Sequence, residues 1–231
     1  MISGKRIVVI IPAFNEEESL PKVIKDIPDF VDEIIVVNNG SSDNTSEVAE
    51  KNGATVLTEN EKGYGAACLK AIDYIKEKNY EIVAFLDADY SDYPEEMNLV
   101  IEPIVKDNYD LVIGSRMIGN REKGAMLPQA IFGNWLASFL IKLFWDYKFT
   151  DLGPFRSIRF ASLQKLNMID RNFGWTVEMQ IKAAKQKMKT TEVPVSYRKR
   201  IGQSKVTGTL KGTIKASSKI LWLIFVSLFK D

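Results

Sequence analysis

Hydrophobic runs alternate with amphipathic segments through the first 114 residues, and this alternation restricts the fold more than any other feature of the sequence. The runs are short and almost continuously apolar, which is typical of parallel strands buried on both faces. Five runs are predicted to be strands: Arg6–Pro12, Glu33–Val37, Ala54–Thr58, Ile82–Leu86 and Asp110–Gly114. Helical periodicity occurs between them at Glu18–Lys25, Thr45–Lys51, Tyr64–Lys78 and Pro94–Lys106. This repeated unit predicts an α/β fold: a three-layer α/β/α sandwich with a mostly parallel, Rossmann-like sheet.

The predicted sheet also indicates where a ligand binds. In such sheets, ligands lie beyond the carboxyl ends of the strands, where the loops to the following helices gather. Polar residues that directly follow the strands are therefore candidates for the site. They lie in residues 13–17, 38–45, 59–65, 87–92 and 114–120.

Three aspartates, Asp87, Asp89 and Asp92, follow the fourth predicted strand. Asp87 and Asp89 are two residues apart, so both side chains can point into one cleft at the strand end. Two carboxylates so close repel each other unless a cation lies between them, and such oxygen ligands suit Mg²⁺ or Mn²⁺. Asp92 precedes Pro94 and is predicted to be the N-cap of the next helix. The alternative is an ordinary acidic loop.

Two glycines, Gly63 and Gly65, open the third predicted helix and would let the backbone approach a ligand closely. Their surroundings match neither the dinucleotide-binding fingerprint nor the phosphate-binding loop of ATPases. These patterns favour a nucleotide that donates its attached group over a redox cofactor or ATP hydrolysis.

The composition excludes some chemistry. The chain has no histidine, which removes the usual imidazole base and the usual zinc ligand. Its single cysteine, Cys68, forms no internal disulfide, as expected in a reducing compartment.

Charge divides the chain into two halves. Residues 1–110 contain 10 Lys and Arg against 23 Asp and Glu, whereas residues 111–231 contain 21 against 7. The two halves are therefore predicted to meet different partners. The basic stretch Lys185–Lys219 is either a solvated face or a surface for anions. No aromatic-interleaved or zinc-binding module accompanies it, so nucleic acid is not expected as a partner.

Two later segments are apolar enough to meet lipid. Residues 126–147 predict a helix with bulky apolar side chains on one face and small or polar ones on the other. This helix is either a core helix or an interfacial helix lying on a membrane, and Pro128 and Asn134 argue against a span. Residues 206–231 predict a basic amphipathic helix that docks on anionic headgroups, with a terminal helix packed on the sheet as the alternative.

Several motifs together resemble a known family. The segments "VVIIPAFNEEESL", "IIVVNNGSSDNT", "NEKGYGAACLKAI", "FLDADYSDYPEE" and "VIGSRMIG" occur in the order and spacing of the family 2 glycosyltransferases with a GT-A fold. Later segments, "TDLGPFRSIR", "FGWTVEMQIKA", "EVPVSYRKR" and "GQSK", are similar to the branch that contains dolichyl-phosphate mannose synthase and related polyprenyl-phosphate glucosyltransferases. The resemblance implies a GT-A catalytic domain over 1–205, with a nucleotide-sugar and metal half (1–120) and an acceptor half (121–205). The amphipathic helices would face the membrane.

The resemblance also implies roles for individual residues. The expected donor-binding residues are Pro12, Ala13, Asn15, Glu16, Asn39, Asp43, Gly63, Asp87 and Ala88. The expected ligands of Mg²⁺ or Mn²⁺ are Asp87, Asp89 and Ser91, where Ser91 occupies a position that is often Gln in this branch. The expected catalytic residues are Asp89, Asp151, Glu178 and Arg116. The acceptor phosphate would contact Arg116, Arg198, Arg200 and Lys205.

The implied activity is inverting transfer of a hexose from a nucleotide sugar to dolichyl or polyprenyl phosphate. A lipid phosphate is already an anion near neutral pH, so it needs cations rather than a strong base. Asn38 and Asn39 replace the usual acidic pair, which favours UDP slightly over GDP as the donor nucleotide. The enzyme would be peripheral, at the cytoplasmic face of the membrane. One alternative is transfer to a sugar hydroxyl, with Asp151 or Glu178 as the base. The other is a non-catalytic module that binds the membrane surface.

Overall fold

A single mixed sheet forms the centre of the computed structural model, which describes residues 2, 4–202 and 210–229. Within that part of the chain the sheet has seven strands: β1 (Ile7–Ala13), β2 (Glu33–Asn38), β3 (Thr55–Thr58), β4 (Ile82–Phe85), β5 (Leu111–Ser115), β6 (Arg156–Arg159) and β7 (Thr190–Pro194). Their order is β3-β2-β1-β4-β6-β5-β7. Only β6 runs antiparallel to its neighbours among these described strands. The five predicted strands are confirmed, whereas β6 and β7 were not predicted.

Helices cover both faces of the sheet. Their bounds are α1 (Leu20–Asp26), α2 (Thr45–Lys51), α3 (Tyr64–Ile75), α4 (Met97–Asp107), α5 (Pro128–Trp145), α6 (Phe160–Leu166), α7 (Trp175–Lys185) and α8 (Leu210–Val226). One hydrophobic core joins the sheet to α3 and α5 to α8, and a second joins the other face to α1, α2 and α4. The predicted three-layer α/β/α sandwich is therefore confirmed.

Strand β1 explains why the apolar runs are continuous. Val8 and Ile10 belong to the core on one face, and Ile7, Val9 and Ile11 belong to the core on the other. All five side chains are fully buried. A strand covered on both sides has no solvent-facing positions, so its sequence lacks the polar alternation of a half-exposed strand.

Helix α5 packs on the sheet through one face and exposes the other. Its buried residues are Asn134, Ala137, Ser138 and Ile141, and Asn134 bonds to the Thr150 carbonyl and the Leu152 N–H. Its bulky side chains face outward: Phe132, Trp135, Phe139 and Leu143 are 48–61% exposed. The core-helix alternative for residues 126–147 thus describes the face that carries Ala137 and Ile141, and it does not describe the exposed face.

Helix α8 packs beside α5 and extends the same exposed surface. Ile224 is fully buried, and the Phe225 ring lies against the Phe144 ring of α5. Trp222 and Phe229 remain exposed. We call the exposed apolar residues of α5 and of the chain from Trp222 to Phe229 the apolar surface. Within the described residues, no helix is both long enough and apolar enough to cross a membrane.

Candidate functional site

A cleft of about 400 Å³ opens at the carboxyl ends of β1 and β4, where the sheet predicts a ligand site. We call it the first cleft. Seven of the nine predicted donor-binding residues line it: Pro12, Ala13, Glu16, Asn39, Gly63, Asp87 and Ala88. The structure also brings Asp89 and Arg200 to its wall. The expectation that ligands bind beyond the carboxyl ends of the strands, which we call the strand-end rule, therefore located most of this cleft from the sequence.

Asn15 and Asp43 lie behind the first cleft. The Asn15 side-chain oxygen accepts from the Ser42 N–H at 2.7 Å, and the Asp43 carboxylate accepts from the Thr45 hydroxyl at 2.5 Å. Burial alone would raise the pKa of Asp43, but the hydrogen bonds from Thr45 and from the Glu17 N–H hold that pKa below its ordinary value. Both side chains thus fix the two loops against each other rather than lining the cleft.

The amides of Asn38 and Asn39 are bonded to the protein. Asn39 donates to the carbonyl oxygens of Glu59 and Glu61 and accepts from the Gly63 N–H. Asn38 donates to the Ser46 hydroxyl and accepts from the Ser41 N–H. Because both amides hold loops, the geometry gives no support to the argument that they bind a uracil edge.

Gly63 and Gly65, which were predicted to let a ligand approach the backbone, are in close contact with another part of the protein backbone. A Cβ on Gly63 would lie 2.0 Å from the Arg171 carbonyl oxygen, and one on Gly65 would lie 2.0 Å from the Asp170 carbonyl oxygen. The Ala66 N–H also donates to the Arg171 carbonyl at 2.9 Å. Residues 170–171 therefore require glycine at both positions, because protein backbone approaches closely there, and Gly63 also lines the first cleft.

Asp87 and Asp89 both line the first cleft, as the sequence predicts. Asp89 pairs through Oδ2 with the Arg200 guanidinium at 3.0 Å, and its Oδ1 accepts from the Ser91 N–H and hydroxyl. Burial, and then the nearby Asp89 carboxylate, raise the pKa of Asp87 to about 7. The pair carries more negative charge than the surrounding protein neutralises.

This donor set suits a divalent cation that arrives with a diphosphate. Among the described residues, no three His, Cys, Asp or Glu side chains are grouped so that they hold an ion by themselves. Mg²⁺ is commonly bound by one or two carboxylates, with water and substrate phosphates completing the shell. Asp87 and Asp89 fit that role. Ser91 is fully buried and its hydroxyl donates to Asp89, so in this structure Ser91 orients the Asp89 carboxylate.

The predicted N-cap at Asp92 is wrong. The turn Pro94–Glu96 that precedes α4 is preceded by Tyr93, without a side-chain cap. The Asp92 carboxylate is buried instead, and neither oxygen has a hydrogen-bond partner among the described residues. Burial, followed by the charge on Asp87, raises its pKa well above the ordinary value.

A second cleft of about 560 Å³ adjoins the first. The two clefts share a wall: Tyr64, Asp87, Asn172, Phe173 and Arg200. The second cleft combines the cations Arg116, Lys199 and Arg200 with the apolar segment 125–127 before α5, Ala130 of α5 and Ile220 of α8. Sequence reasoning gave no role to Asn172 or Phe173, although Phe173 opens the quoted segment "FGWTVEMQIKA" and Asn172 directly precedes it.

Arg116 is held in the second cleft by Asp151. The Asp151 carboxylate accepts from the Arg116 backbone N–H, Nε and Nη2 at 2.7–2.8 Å. Although burial favours the neutral acid, the Arg116 guanidinium holds the pKa of Asp151 below its ordinary value. Asp151 is fully buried and lines neither cleft, so it positions Arg116 in this structure.

The other predicted site residues lie outside the clefts. Glu178 is buried and accepts from the N–H groups of Ile169 and Asp170, which fixes the loop before α7. Glu178 lines neither cleft, although the resemblance implies a catalytic role for it. Arg198 bonds to backbone carbonyls instead of lining a cleft. Lys205 lies outside the described residues.

The raised pKa of Asp87 predicts a pH-dependent stability without divalent ions. An acid whose pKa rises from 3.8 to about 7 on folding costs stability as pH increases through that interval. We expect the Tm of the wild type in EDTA to fall between pH 5 and 8. We expect Asp87→Asn to be more stable than the wild type at pH 8, by about 4 °C or more, because its side chain does not ionise.

Thermal denaturation monitored by circular dichroism at four pH values measures this effect. Asp29→Asn is the matched control, because Asp29 is exposed in the loop before β2, at the amino ends of the parallel strands, whereas the first cleft lies at their carboxyl ends. The Asp92 pKa shifts in the same direction, so the slope in Asp87→Asn should shrink rather than vanish. Parallel curves for wild type and Asp87→Asn would contradict the assigned pKa.

The comparisons with known proteins agree with this geometry. The profile described as "Glycosyl transferase family 2" matches residues 8–166. An uncharacterized glycosyltransferase of Mycobacterium tuberculosis H37Rv is 34% identical over 217 residues, which are 93% of this chain and 96% of the relative. A dolichyl-phosphate hexose transferase of Haloferax volcanii is 31% identical, over 86% of this chain and 85% of the relative.

Solved structures confirm the fold. Glucosyl-3-phosphoglycerate synthase from Mycobacterium tuberculosis, in complex with Mn²⁺, UDP and phosphoglyceric acid, superposes with a TM-score of 0.77 at 20% identity. The match covers 97% of this chain and 79% of that one. The predicted GT-A fold and the resemblance to the polyprenyl-phosphate branch are thus confirmed, and the chain belongs to glycosyl transferase family 2.

Proposed function

We propose that this glycosyltransferase moves a hexose from a nucleotide sugar to dolichyl or polyprenyl phosphate at a membrane surface, with inversion at the transferred carbon. The observation that carries the proposal is the shared wall of the two clefts. On one side lie the paired carboxylates, and on the other lie cations next to apolar helix residues. That juxtaposition suits a charged donor, an anionic acceptor and the lipid tail attached to it.

The donor belongs in the first cleft. Its nucleoside would lie against Pro12, Ala13 and Phe14, with the diphosphate towards Asp87 and Asp89. Bound Mg²⁺ or Mn²⁺ would supply Lewis-acid stabilisation to the departing diphosphate. Arg200 contacts Asp89 and lines both clefts, so its guanidinium can meet phosphate on either side of the wall. A UDP donor is our choice over GDP, supported by the UDP-bound structural relative.

The acceptor phosphate belongs in the second cleft, beside Arg116 and Lys199. Asp151 fixes the orientation of the Arg116 guanidinium, so this side chain is oriented before the acceptor arrives. A phosphate oxygen then attacks the sugar from the face opposite the leaving diphosphate. No side chain needs to remove a proton, which agrees with a protein that lacks histidine. The acceptor half 121–205 and the donor half 1–120 would therefore meet at this wall.

The apolar surface is the proposed lipid contact. It consists of aromatic and aliphatic side chains from α5 and the end of the chain, and it adjoins the second cleft through residues of both helices. Aromatic-rich helices of this kind lie in the headgroup region of a bilayer. We place the protein at the cytoplasmic face as a peripheral enzyme, with residues 206–231 as part of its membrane contact.

Leu143→Glu should weaken binding to vesicles by about tenfold or more. The substitution removes a leucine side chain that would be buried in the bilayer, and it adds a charge at the lipid contact. Leu99→Glu on α4 is the matched control, since Leu99 is also exposed but lies on the other face of the sheet. Co-sedimentation with vesicles that contain phosphatidylglycerol measures the difference. Equal losses in the two variants, or none in either, would remove the apolar surface from the proposal.

Transfer itself is tested by a donor and acceptor panel. The protein is incubated with Mn²⁺, UDP- and GDP-linked hexoses, and short polyprenyl phosphates, and the lipid fraction is analysed by mass spectrometry. The expected product is a lipid phosphate that has gained one hexose, formed from a UDP sugar. The proposal fails if no lipid-linked sugar forms across the panel.

A further inference from the structure

Arg198 binds residues 90–93, the turn that directly follows Asp89. Its guanidinium carbon lies 3.5 Å from the centre of the Tyr90 ring and 4.0 Å from that of the Tyr93 ring. Its Nε donates to the Tyr90 carbonyl at 2.8 Å, and its Nη2 donates to the Asp92 carbonyl at 3.0 Å. The guanidinium thus contacts residues 90–93, its Nη2 also lies 3.8 Å from Glu95 Oε2, and the side chain lines neither cleft.

Tyr90 has a backbone conformation that tyrosine rarely adopts. Its φ of 62° lies in the left-handed region, where a bulky side chain crowds the backbone. Such a conformation persists only where the surroundings enforce it. Here Arg198 holds both the ring and the carbonyl, and the Tyr90 hydroxyl donates to Asp26 Oδ2 at 2.6 Å.

The turn at Tyr90 determines how Asp89 is presented. It brings the Ser91 N–H to 2.9 Å and the Ser91 hydroxyl to 2.5 Å from Asp89 Oδ1. Oδ2 is then left for Arg200 in the first cleft. The chain around Arg198 adds two backbone bonds to the same turn, from Arg198 N–H to the Ser91 carbonyl and from Ile201 N–H to the Asp89 carbonyl.

We propose that Arg198 is a positioning residue for the cation and diphosphate site: it holds Tyr90 in the left-handed conformation that aims the Asp89 carboxylate into the first cleft. The proposal rests on the proposed function only in that Asp87 and Asp89 bind a divalent cation with the donor nucleotide. It replaces the expectation that Arg198 binds the acceptor phosphate.

The test is Mn²⁺ binding in the presence of UDP, measured by calorimetry and by the electron paramagnetic resonance signal of free Mn²⁺. Arg198→Met should weaken Mn²⁺ binding by about tenfold, as the loss of a residue that orients a metal ligand does. Arg198→Lys keeps the charge but lacks the planar fork, so it should not restore the affinity. Full affinity in either variant overturns the proposal.

Tyr90→Gly tests the route of the effect. Glycine adopts a φ of 62° without strain, so Arg198→Met should cost much less Mn²⁺ affinity in the Tyr90→Gly background than in the wild type. If Arg198→Met lowers Mn²⁺ affinity equally in both backgrounds, Arg198 does not act through Tyr90, and the proposal fails. Arg159→Met is the structural control, because Arg159 also bonds to backbone carbonyls, at the opposite end of β4. It should lower Tm without changing Mn²⁺ affinity.

The readout separates this inference from the transferase proposal, because it needs no acceptor. A wild type that binds Mn²⁺ and UDP but glycosylates no lipid phosphate contradicts the proposed function and leaves Arg198 to be judged by its own variants. A wild type that binds no Mn²⁺ with UDP overturns the Arg198 proposal as well.

Discussion

Asp89→Asn is expected to lower kcat/KM for the nucleotide sugar by about 10³-fold, because a cation that stabilises a departing diphosphate is worth several kcal/mol in the transition state. The substitution removes the charge that faces Arg200 in the first cleft and leaves a neutral amide in its place. Initial rates at saturating acceptor, with Mn²⁺ varied, measure the loss. The apparent affinity for Mn²⁺ should fall in parallel.

Asp29→Asn removes the same charge at the amino ends of the parallel strands, away from the first cleft, and should leave both parameters unchanged. Circular dichroism must show that Asp89→Asn folds, since the Ser91 hydroxyl and N–H both bond to Asp89. A folded Asp89→Asn protein with nearly wild-type kcat/KM would remove Asp89 from the cation site. In that case the two-carboxylate interpretation of "DAD" would be wrong.

The sequence predicted those parts of the fold that depend on local pattern. Strand β1 is recognisable because both of its faces are buried, so every position is apolar. Strand β6 is not, because it begins and ends with arginine. Arg156 is fully buried there only because its guanidinium meets the carbonyls of Gly153, Leu152 and Thr176, and those contacts exist only in the folded chain.

The site shows the same division between local and long-range information. The strand-end rule located Asp87 and Asp89, because it depends only on where a strand ends. It did not reveal which way charged residues from distant segments would point. Glu178 and Arg198 bond to nearby backbone instead of facing the clefts, while Arg200 reaches both of them. Residue type alone does not distinguish an arginine that binds phosphate from one that stabilises a turn.

Asp151→Ala should lower the free energy of unfolding by about 3–5 kcal/mol, the range found when one partner of a buried ion pair is removed. Arg116 is only 12% exposed, and Asp151 supplies both acceptors for its fork. Without that carboxylate the guanidinium stays charged and loses its bidentate partner. Urea denaturation of the two proteins measures the difference. Glu47→Ala, which breaks an exposed pair with Lys51 on α2, should lower the free energy of unfolding far less than Asp151→Ala does.

The difference in the free energy of unfolding between wild type and Asp151→Ala should depend on pH in a definite direction. Because folding lowers the pKa of Asp151, the stability that its ionised form contributes is complete above the unfolded value and is lost as the pH falls through the folded one. The gap between wild type and Asp151→Ala should therefore be constant near neutrality and shrink in strong acid. A gap that opens only above pH 7 would contradict the assigned ionisation.

Asp151→Asn separates the two possible roles in transfer. If Asp151 were the base for a hydroxyl acceptor, the amide would abolish transfer to alcohols and remove the acidic limb of the pH–rate profile. As the residue that positions Arg116, it should instead raise KM for the lipid phosphate and leave the shape of the profile unchanged. The buried carboxylate, already bonded three times by Arg116, favours the second outcome. Transfer to a sugar hydroxyl that depends on Asp151 would reverse this assignment and, with it, the choice of acceptor.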